Sequence, residues 1–181
     1  MYEPAEDSYL LLESINNFYV DKQIKNSLDM GSGSGILAKQ LAEFSEHVIA
    51  VDIDDASVVH LKKELKNSKI SVVKSDLFSN IKKEKFDLIV FNPPYLPKGE
   101  DDYNDVALYG GEKGIEITLR FLEQAKEFLA KTGIILFVAS SLSKVSELEI
   151  EMKKMKYSFE KIKQEHYFFE ELYVYKAKLK N

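Results

Sequence analysis

The chain has 181 residues, of which 45% are hydrophobic and 30% charged, and it contains no cysteine. This balance predicts one globular domain spanning residues 1–181 and excludes disulfides and zinc–thiolate sites within the chain. The net charge is −5 and Arg120 is the single arginine, which disfavours direct nucleic-acid binding. The acidic start and the lack of a long apolar run favour a cytoplasmic protein with no membrane segment, and the scattered histidines predict no metal site.

Helices and strands are predicted to alternate along the chain. The apolar pattern predicts helices over 7–18, 36–44, 58–65, 115–129 and 145–155, and strands over 27–30, 47–51, 70–73, 86–91, 134–138, 158–165 and 171–179. Such alternation is typical of an α/β fold with a doubly wound, mostly parallel sheet of seven strands. The connection between the last two strands is too short for a crossover, so we expect these strands to pair antiparallel.

A glycine-rich loop follows the first strand. Gly31, Gly33 and Gly35 alternate directly after Asp29, and glycines at such a turn let the backbone approach a ligand closely. A dinucleotide fingerprint would need glycine at position 36, where Ile36 stands. A carboxylate before the loop would repel a pyrophosphate but would attract an ammonium group. The loop therefore favours an aminoacyl nucleoside over a nicotinamide dinucleotide as the cofactor.

Carboxylates also end the next two strands. Asp52 stands about 20 positions after Gly33, a spacing at which an acid commonly accepts hydrogen bonds from ribose hydroxyls. Asp76 ends the third strand, where it can accept from an adenine amino group while Leu77 packs on the ring. We expect Ile53, directly after Asp52, to belong to the same cofactor site.

The tetrapeptide Asn92-Pro93-Pro94-Tyr95 ends the fourth strand and is the predicted catalytic motif. An amide nitrogen is a poor nucleophile, because its lone pair is delocalised into the carbonyl. The Asn92 side-chain oxygen and the Pro93 carbonyl can each accept one of its N–H groups and favour a pyramidal transition state. The prolines stiffen the loop, and Tyr95 offers an aromatic face to a flat substrate group.

These motifs resemble those of class I S-adenosylmethionine-dependent methyltransferases, and more narrowly those of the HemK-like branch of archaea and eukaryotes. The stretches 2–8, 110–111 and 164–174 are also similar to that branch. The resemblance implies strand order 3-2-1-4-5-7-6 with the last strand antiparallel, and places Asp7, Ser8 and Asn92 at the cofactor. It also implies methylation of the glutamine in the Gly-Gly-Gln motif of a class I translation termination factor.

Members of that branch often work with a small zinc-binding activator protein that extends the sheet. We expect such a partner along Ile70–Val73, because the implied strand order leaves this strand at an edge. We also expect the acidic loop 98–105 to form a lid over the substrate.

Two other functions remain open from the residues alone. The same tetrapeptide would serve a nucleic-acid methyltransferase that acts on an adenine or guanine amino group. A domain that binds the cofactor without catalysis, as a partner of another protein, is the second alternative.

Overall fold

The computed structural model describes residues 3–19, 24–99 and 107–180. Within these ranges the chain forms, in order, α1 (Glu6–Tyr19), β1 (Ile24–Met30), α2 (Ile36–Phe44), β2 (Ser45–Asp52), α3 (Asp55–Glu64), β3 (Ile70–Lys74), β4 (Phe86–Phe91), β5 (Leu96–Pro97), β6 (Tyr109–Gly111), α4 (Glu116–Ala125), β7 (Leu129–Ser140), α5 (Val145–Lys154), β8 (Tyr157–Tyr167) and β9 (Glu170–Leu179). Most of the predicted lid, 98–105, lies outside the described residues.

Seven strands form one sheet in the order β3-β2-β1-β4-β7-β9-β8. Strands β3, β2, β1, β4 and β7 are parallel, whereas β9 is antiparallel to both neighbours. Numbered among themselves along the chain, the seven strands stand 3-2-1-4-5-7-6, so the prediction is confirmed. One detail differs, since β5 and β6 form a separate two-stranded sheet that the sequence pattern did not predict.

The sheet is covered on both faces, which explains the consecutive apolar residues at 88–91 of β4 and 134–139 of β7. Along β4, Leu88 and Val90 join a buried cluster with residues of α1, α2 and α3. Ile89 and Phe91 join the opposite cluster with residues of α4 and α5. This period-two division places one helical layer on each face and leaves the carboxyl ends of the parallel strands uncovered.

The largest errors in the predicted boundaries lie between α4 and β7. The pattern predicted a helix over 115–129 with Leu129 on its buried face, but α4 ends at Ala125 and Leu129 begins β7, paired with Phe86. A turn over Lys126–Phe128 separates the two elements, and the Phe86 N–H donates to the Phe128 carbonyl at 2.8 Å. Tertiary pairing with β4 thus overrides a helical spacing that continued past the true end. Among the described residues, the helices are all too short or too polar to cross a membrane.

Candidate active site

A cavity of about 750 Å³ opens at the carboxyl ends of β1, β2, β3 and β4. Because parallel strands deliver their ends to one edge, residues far apart in sequence meet here. Most of the predicted site residues line it: Asp7, Ser8, Gly31, Gly33, Asp52, Ile53, Asp76, Leu77, Asn92, Pro93, Pro94 and Tyr95. Asp29 and Gly35 do not line it.

The glycine loop follows β1 with a left-handed backbone at Gly31, Gly33 and Gly35, whose φ angles are 64°, 50° and 80°. The Ser32 N–H donates to the Val51 carbonyl at 2.8 Å, which fastens the loop to β2. Gly35 has a packing role, since a Cβ there would lie 2.9 Å from Leu61. Gly35 thus helps to seat α2 against α3, and its contact with the cofactor stays a prediction.

Asp29 is fully buried behind the loop, where the Ser32 hydroxyl donates to its Oδ2 atom. Burial raises the pKa of this carboxyl to about 7, and the nearby charge of Asp52 adds to the effect. A nearby cation would stabilise the ionised form of this buried carboxyl. Because Asp29 does not line the cavity, it would act across the glycine loop on a positively charged ligand there.

Asp52 is held at the end of β2 by two backbone donors. Its Oδ2 accepts from the Gly33 N–H at 2.8 Å and its Oδ1 from the Asp54 N–H at 2.9 Å. The next side chain, Ile53, is 52% exposed at the cavity although it is large and apolar. A carboxylate beside an exposed apolar face is what a ribose and its base require.

Arg120 lines the cavity and was missed as a site residue by the sequence analysis. Its Nη2 atom lies 3.0 Å from Asp76 Oδ2, and both side chains are half exposed. Its being the single arginine of the chain could have drawn attention to it. The spacing of residues along α4 gave no reason to place it near β3. Asp76 thus already has a partner at the position predicted to receive an adenine amino group.

The tetrapeptide at 92–95 is hydrogen-bonded to the beginning of α1. Asn92 Nδ2 donates to the Ser8 hydroxyl at 3.2 Å, and the Tyr95 hydroxyl donates to Asp7 Oδ2 at 3.1 Å. Asn92 Oδ1 is buried and accepts no hydrogen bond from the residues that the structure describes. Asp7 and Ser8 line the cavity, as their expected place at the methionine end of the cofactor requires, and they also contact the tetrapeptide. A buried oxygen without a donor is costly, so Asn92 is prepared to receive an N–H from a ligand.

The small sheet of β5 and β6 supports the same tetrapeptide from behind. The Leu96 N–H donates to the Leu108 carbonyl at 3.0 Å, and the Lys98 N–H donates to the Gly111 carbonyl at 2.8 Å. The approach is so close that a Cβ on Gly110 would lie 2.3 Å from the Pro94 carbonyl oxygen. The glycines at 110 and 111, first noted as part of a resemblance, thus have a steric reason.

Comparison with known proteins agrees with this geometry. Residues 5–169 match the family described as Methyltransferase small domain. A Methanocaldococcus jannaschii protein with the provisional name protein N5-glutamine methyltransferase is 38% identical over 98% of this chain and 91% of its own length. The release factor glutamine methyltransferase of Bacillus cereus is 32% identical over 70% of this chain, which spans half the length of that relative.

Solved structures show the same fold. The Mtq2–Trm112 complex of E. cuniculi, which methylates the translation termination factor eRF1, aligns with a TM-score of 0.80 at 24% identity over 99% of this chain and 98% of that one. The 16S rRNA N2 G1207 methyltransferase of T. thermophilus, in complex with AdoMet and guanosine, aligns with a TM-score of 0.71 at 25% identity over 98% of this chain and 44% of that one. With a family match over residues 5–169 and a relative 38% identical along nearly the whole length, this chain belongs to the methyltransferase small domain family and takes S-adenosylmethionine as its cofactor.

Proposed function

We propose that this protein methylates a glutamine side-chain amide of another protein, and that the acceptor is the Gly-Gly-Gln motif of a class I translation termination factor in the cytoplasm. The observation that carries the proposal is the buried Asn92 Oδ1 atom beside two consecutive prolines, which accepts no hydrogen bond within the described part of the chain. The names of two relatives support an amide as the acceptor, since the M. jannaschii and B. cereus proteins both carry the name of a glutamine methyltransferase.

The predicted site residues divide between cofactor and acceptor. We assign Asp29, Gly31, Gly33 and Asp52 to the aminoacyl and ribose parts of S-adenosylmethionine, with Ile53, Asp76 and Leu77 around the adenine. The buried Asn92 Oδ1 atom fits a ligand that brings an N–H group. The buried Asp29 carboxyl fits a ligand that brings a positive charge. When bound, this cofactor supplies an electrophilic methyl group on a sulfonium centre.

The chain's own contribution to the reaction is orientation and charge stabilisation. Asn92 Oδ1 and the Pro93 carbonyl each accept one N–H of the acceptor amide, which turns the nitrogen lone pair away from its carbonyl. Positive charge develops on that nitrogen, and two fixed oxygen acceptors stabilise it more than they stabilise the flat ground state. The Tyr95 ring, held by its hydroxyl on Asp7, limits the amide to one plane. A strong base is unnecessary, because the methylated nitrogen loses its extra proton readily.

Methyl transfer from labelled cofactor tests the proposal directly. The acceptors would be a recombinant class I termination factor, its Gln→Ala variant in the Gly-Gly-Gln motif, tRNA, rRNA and DNA. We expect label on the factor and none on its variant. Label on nucleic acid alone would replace the proposal with base methylation, and label on no acceptor, with or without the partner described below, would favour a cofactor-binding protein without catalysis.

Base methylation is the second candidate, and a relative makes it specific. The tRNA1(Val) (adenine(37)-N6)-methyltransferase of Haemophilus influenzae is 34% identical over 65% of this chain. The same two acceptors at the tetrapeptide would hold an exocyclic amino group. The net charge of −5 weighs against this candidate, because a nucleic acid would meet an acidic protein.

We also propose a small activator protein that adds a strand to β3. The main sheet ends at β3, whose Ile70, Val72 and Val73 carry apolar side chains along an edge. The E. cuniculi neighbour is itself a two-protein complex. An apolar edge of this kind is the usual site of strand addition.

A further inference from the structure

Two adjacent phenylalanines form an exposed hairpin tip. Phe168 and Phe169 connect β8 to β9, and each side chain is 94% exposed. Two-residue hairpin turns favour asparagine and glycine, and Phe168 adopts a left-handed backbone with φ 40°, which bulky residues rarely do. Both the turn conformation and the hydrophobic effect disfavour phenylalanine at these positions. Such a costly arrangement points to a function for the tip.

The base of the tip is fixed to the edge of the sheet that carries the cavity. The Ser140 hydroxyl at the end of β7 donates to Glu170 Oε2 at 2.6 Å. The Ser141 N–H donates to the Glu171 carbonyl at 2.9 Å, and the Glu171 N–H donates back to the Ser141 hydroxyl at 2.8 Å. The tip therefore projects from a rigid base at the carboxyl end of a central strand.

Contacts continue from this base to the catalytic tetrapeptide. The segment after β7 packs on the loop before α4, where a Cβ on Gly114 would lie 2.9 Å from Ser143 and 2.3 Å from the carbonyl oxygen of Tyr95. The Lys144 N–H also donates to the Lys113 carbonyl at 3.0 Å. A molecule that rests on the tip is thus held in a defined position relative to Tyr95.

Exposed apolar side chains are concentrated at this edge. Seven large hydrophobic residues are exposed among the described residues, and three of them, Tyr9, Val59 and Ile150, belong to helices. The other four follow the carboxyl ends of β2, β7 and β8: Ile53, Leu142, Phe168 and Phe169. This grouping of exposed apolar residues at one edge of the sheet favours contact with a large partner over a small free substrate.

The charge around the tip restricts the partner. Residues 164–172 contain three carboxylates and no lysine or arginine; Glu165 is paired with Lys163 at 3.2 Å, so the excess negative charge comes from Glu170 and Glu171. Phosphates of nucleic acid and anionic lipid headgroups would be repelled, and two copies of the tip would repel each other. A folded protein with an apolar pocket bordered by basic side chains is the complementary partner.

We propose that Phe168 and Phe169 are a docking element for the folded methyl-acceptor protein, separate from the cavity that receives its glutamine. The proposal rests on the proposed function, since it takes a protein as the acceptor. Aromatic side chains that enter a partner's pocket commonly dominate the binding free energy of such interfaces. Docking at the tip would raise acceptor affinity without taking part in methyl transfer.

The test is a kinetic comparison with the folded termination factor as acceptor. A variant carrying Phe168→Ser and Phe169→Ser is compared with a control carrying Val59→Ser and Ile150→Ser, which removes exposed apolar groups elsewhere. For the tip variant we expect the KM for the acceptor to rise tenfold or more. The kcat at saturating acceptor and the Kd for S-adenosylmethionine should stay as in the wild type. The control should keep all three values.

Each contrary outcome has its own meaning. An unchanged KM in the tip variant, with the wild type active, overturns the docking proposal and leaves the proposed function standing. A wild-type protein that methylates no protein acceptor overturns the proposed function and the docking element with it. The docking proposal is also wrong if the wild type is a dimer by sedimentation and the tip variant a monomer, or if phosphatidylcholine vesicles bind the wild type alone.

Discussion

At the scale of single residues, the proposed chemistry depends on one oxygen atom. Replacing Asn92 by alanine removes the buried Oδ1 acceptor while the backbone acceptor at Pro93 stays. We expect kcat to fall by about 10²–10³-fold, the usual effect of losing one oriented group that stabilises transition-state charge. Single-turnover methyl transfer would measure this, with cofactor titration to check that binding survives.

Ser8→Ala is the matched control for this substitution. It removes the group that receives the Asn92 Nδ2–H but leaves the Asn92 oxygen in place. The fall in kcat for Ser8→Ala should be at least tenfold smaller than the fall for Asn92→Ala. Equal losses for the two variants would mean that Asn92 acts mainly by anchoring α1, contrary to the proposed mechanism.

The raised pKa of Asp29 predicts opposing effects on stability and binding. The folded pKa of about 7 exceeds the ordinary value of 3.8, so the folded state holds a proton that the unfolded state has lost between these pH values. Stability from this group therefore falls as pH rises from about 4 to 7, by at most about 4 kcal/mol. An Asp29→Asn variant should be more stable than the wild type at pH 8, and denaturant unfolding at pH 5 and pH 8 would measure the difference.

Cofactor affinity should respond to the same proton in the opposite sense. A ligand ammonium favours the ionised Asp29, so its binding lowers the pKa of this carboxyl and expels the proton. The wild-type Kd should rise as pH falls from 8 to 6, with a limit of about tenfold per pH unit below 7. The Asp29→Asn variant should bind the cofactor more weakly than the wild type, with a Kd that changes little between pH 6 and pH 8. Equal wild-type affinity at pH 6 and pH 8 would show that Asp29 does not sense the ligand.

At the scale of elements, the small sheet of β5 and β6 should control activity through its close contact with the tetrapeptide. Gly110→Ala places a Cβ 2.3 Å from the Pro94 carbonyl oxygen, whereas Gly133→Ala places one 2.6 Å from the Phe86 carbonyl oxygen, at the far end of β4. Both variants should lower the melting temperature. Only Gly110→Ala should also reduce kcat, by about tenfold or more, because displacement of Pro94 misplaces Asn92.

Elements with a strong apolar period were predictable from the sequence, and those made by tertiary contact were not. α2 and β4 were predicted with their observed bounds, Ile36–Phe44 and Phe86–Phe91. β5 is only two residues long and pairs with β6, which lies further along the chain, so no periodicity in the sequence marks it. The motifs predicted which residues gather at the cavity, but not the hydrogen bond from Tyr95 to Asp7 or the ion pair of Arg120, since side-chain partners depend on how α1 and α4 pack.

At the scale of the whole molecule, the two edges of the sheet differ in how they avoid unwanted pairing. β8 carries alternating charges, with Lys163 paired to Glu13 and Lys176 of β9 paired to Glu160. β3 carries isoleucine and valine with one lysine at its end. Charged edges discourage strand addition and apolar edges permit it, so the sheet is asymmetric and a partner strand should choose β3.

The backbone of β3 shows which residue should matter most for that partner. The Lys69 carbonyl accepts from the Val48 N–H, and the Ser75 N–H donates to the Asp52 carbonyl. The backbone N–H and C=O groups of the odd-numbered residues therefore point toward β2, and those of Val72 point outward from the sheet. Val72→Pro removes an outward N–H without breaking the ladder to β2, and proline is tolerated on an edge strand. Val72→Ala keeps the N–H but loses the same side chain. In affinity capture from the native cell, a small stoichiometric protein should come with the wild type and Val72→Ala and be lost from Val72→Pro, while cofactor binding stays in all three. If Val72→Pro also captures the small protein, the partner binds elsewhere on the chain. If none of the three forms captures a small protein, the apolar edge of β3 serves the fold alone.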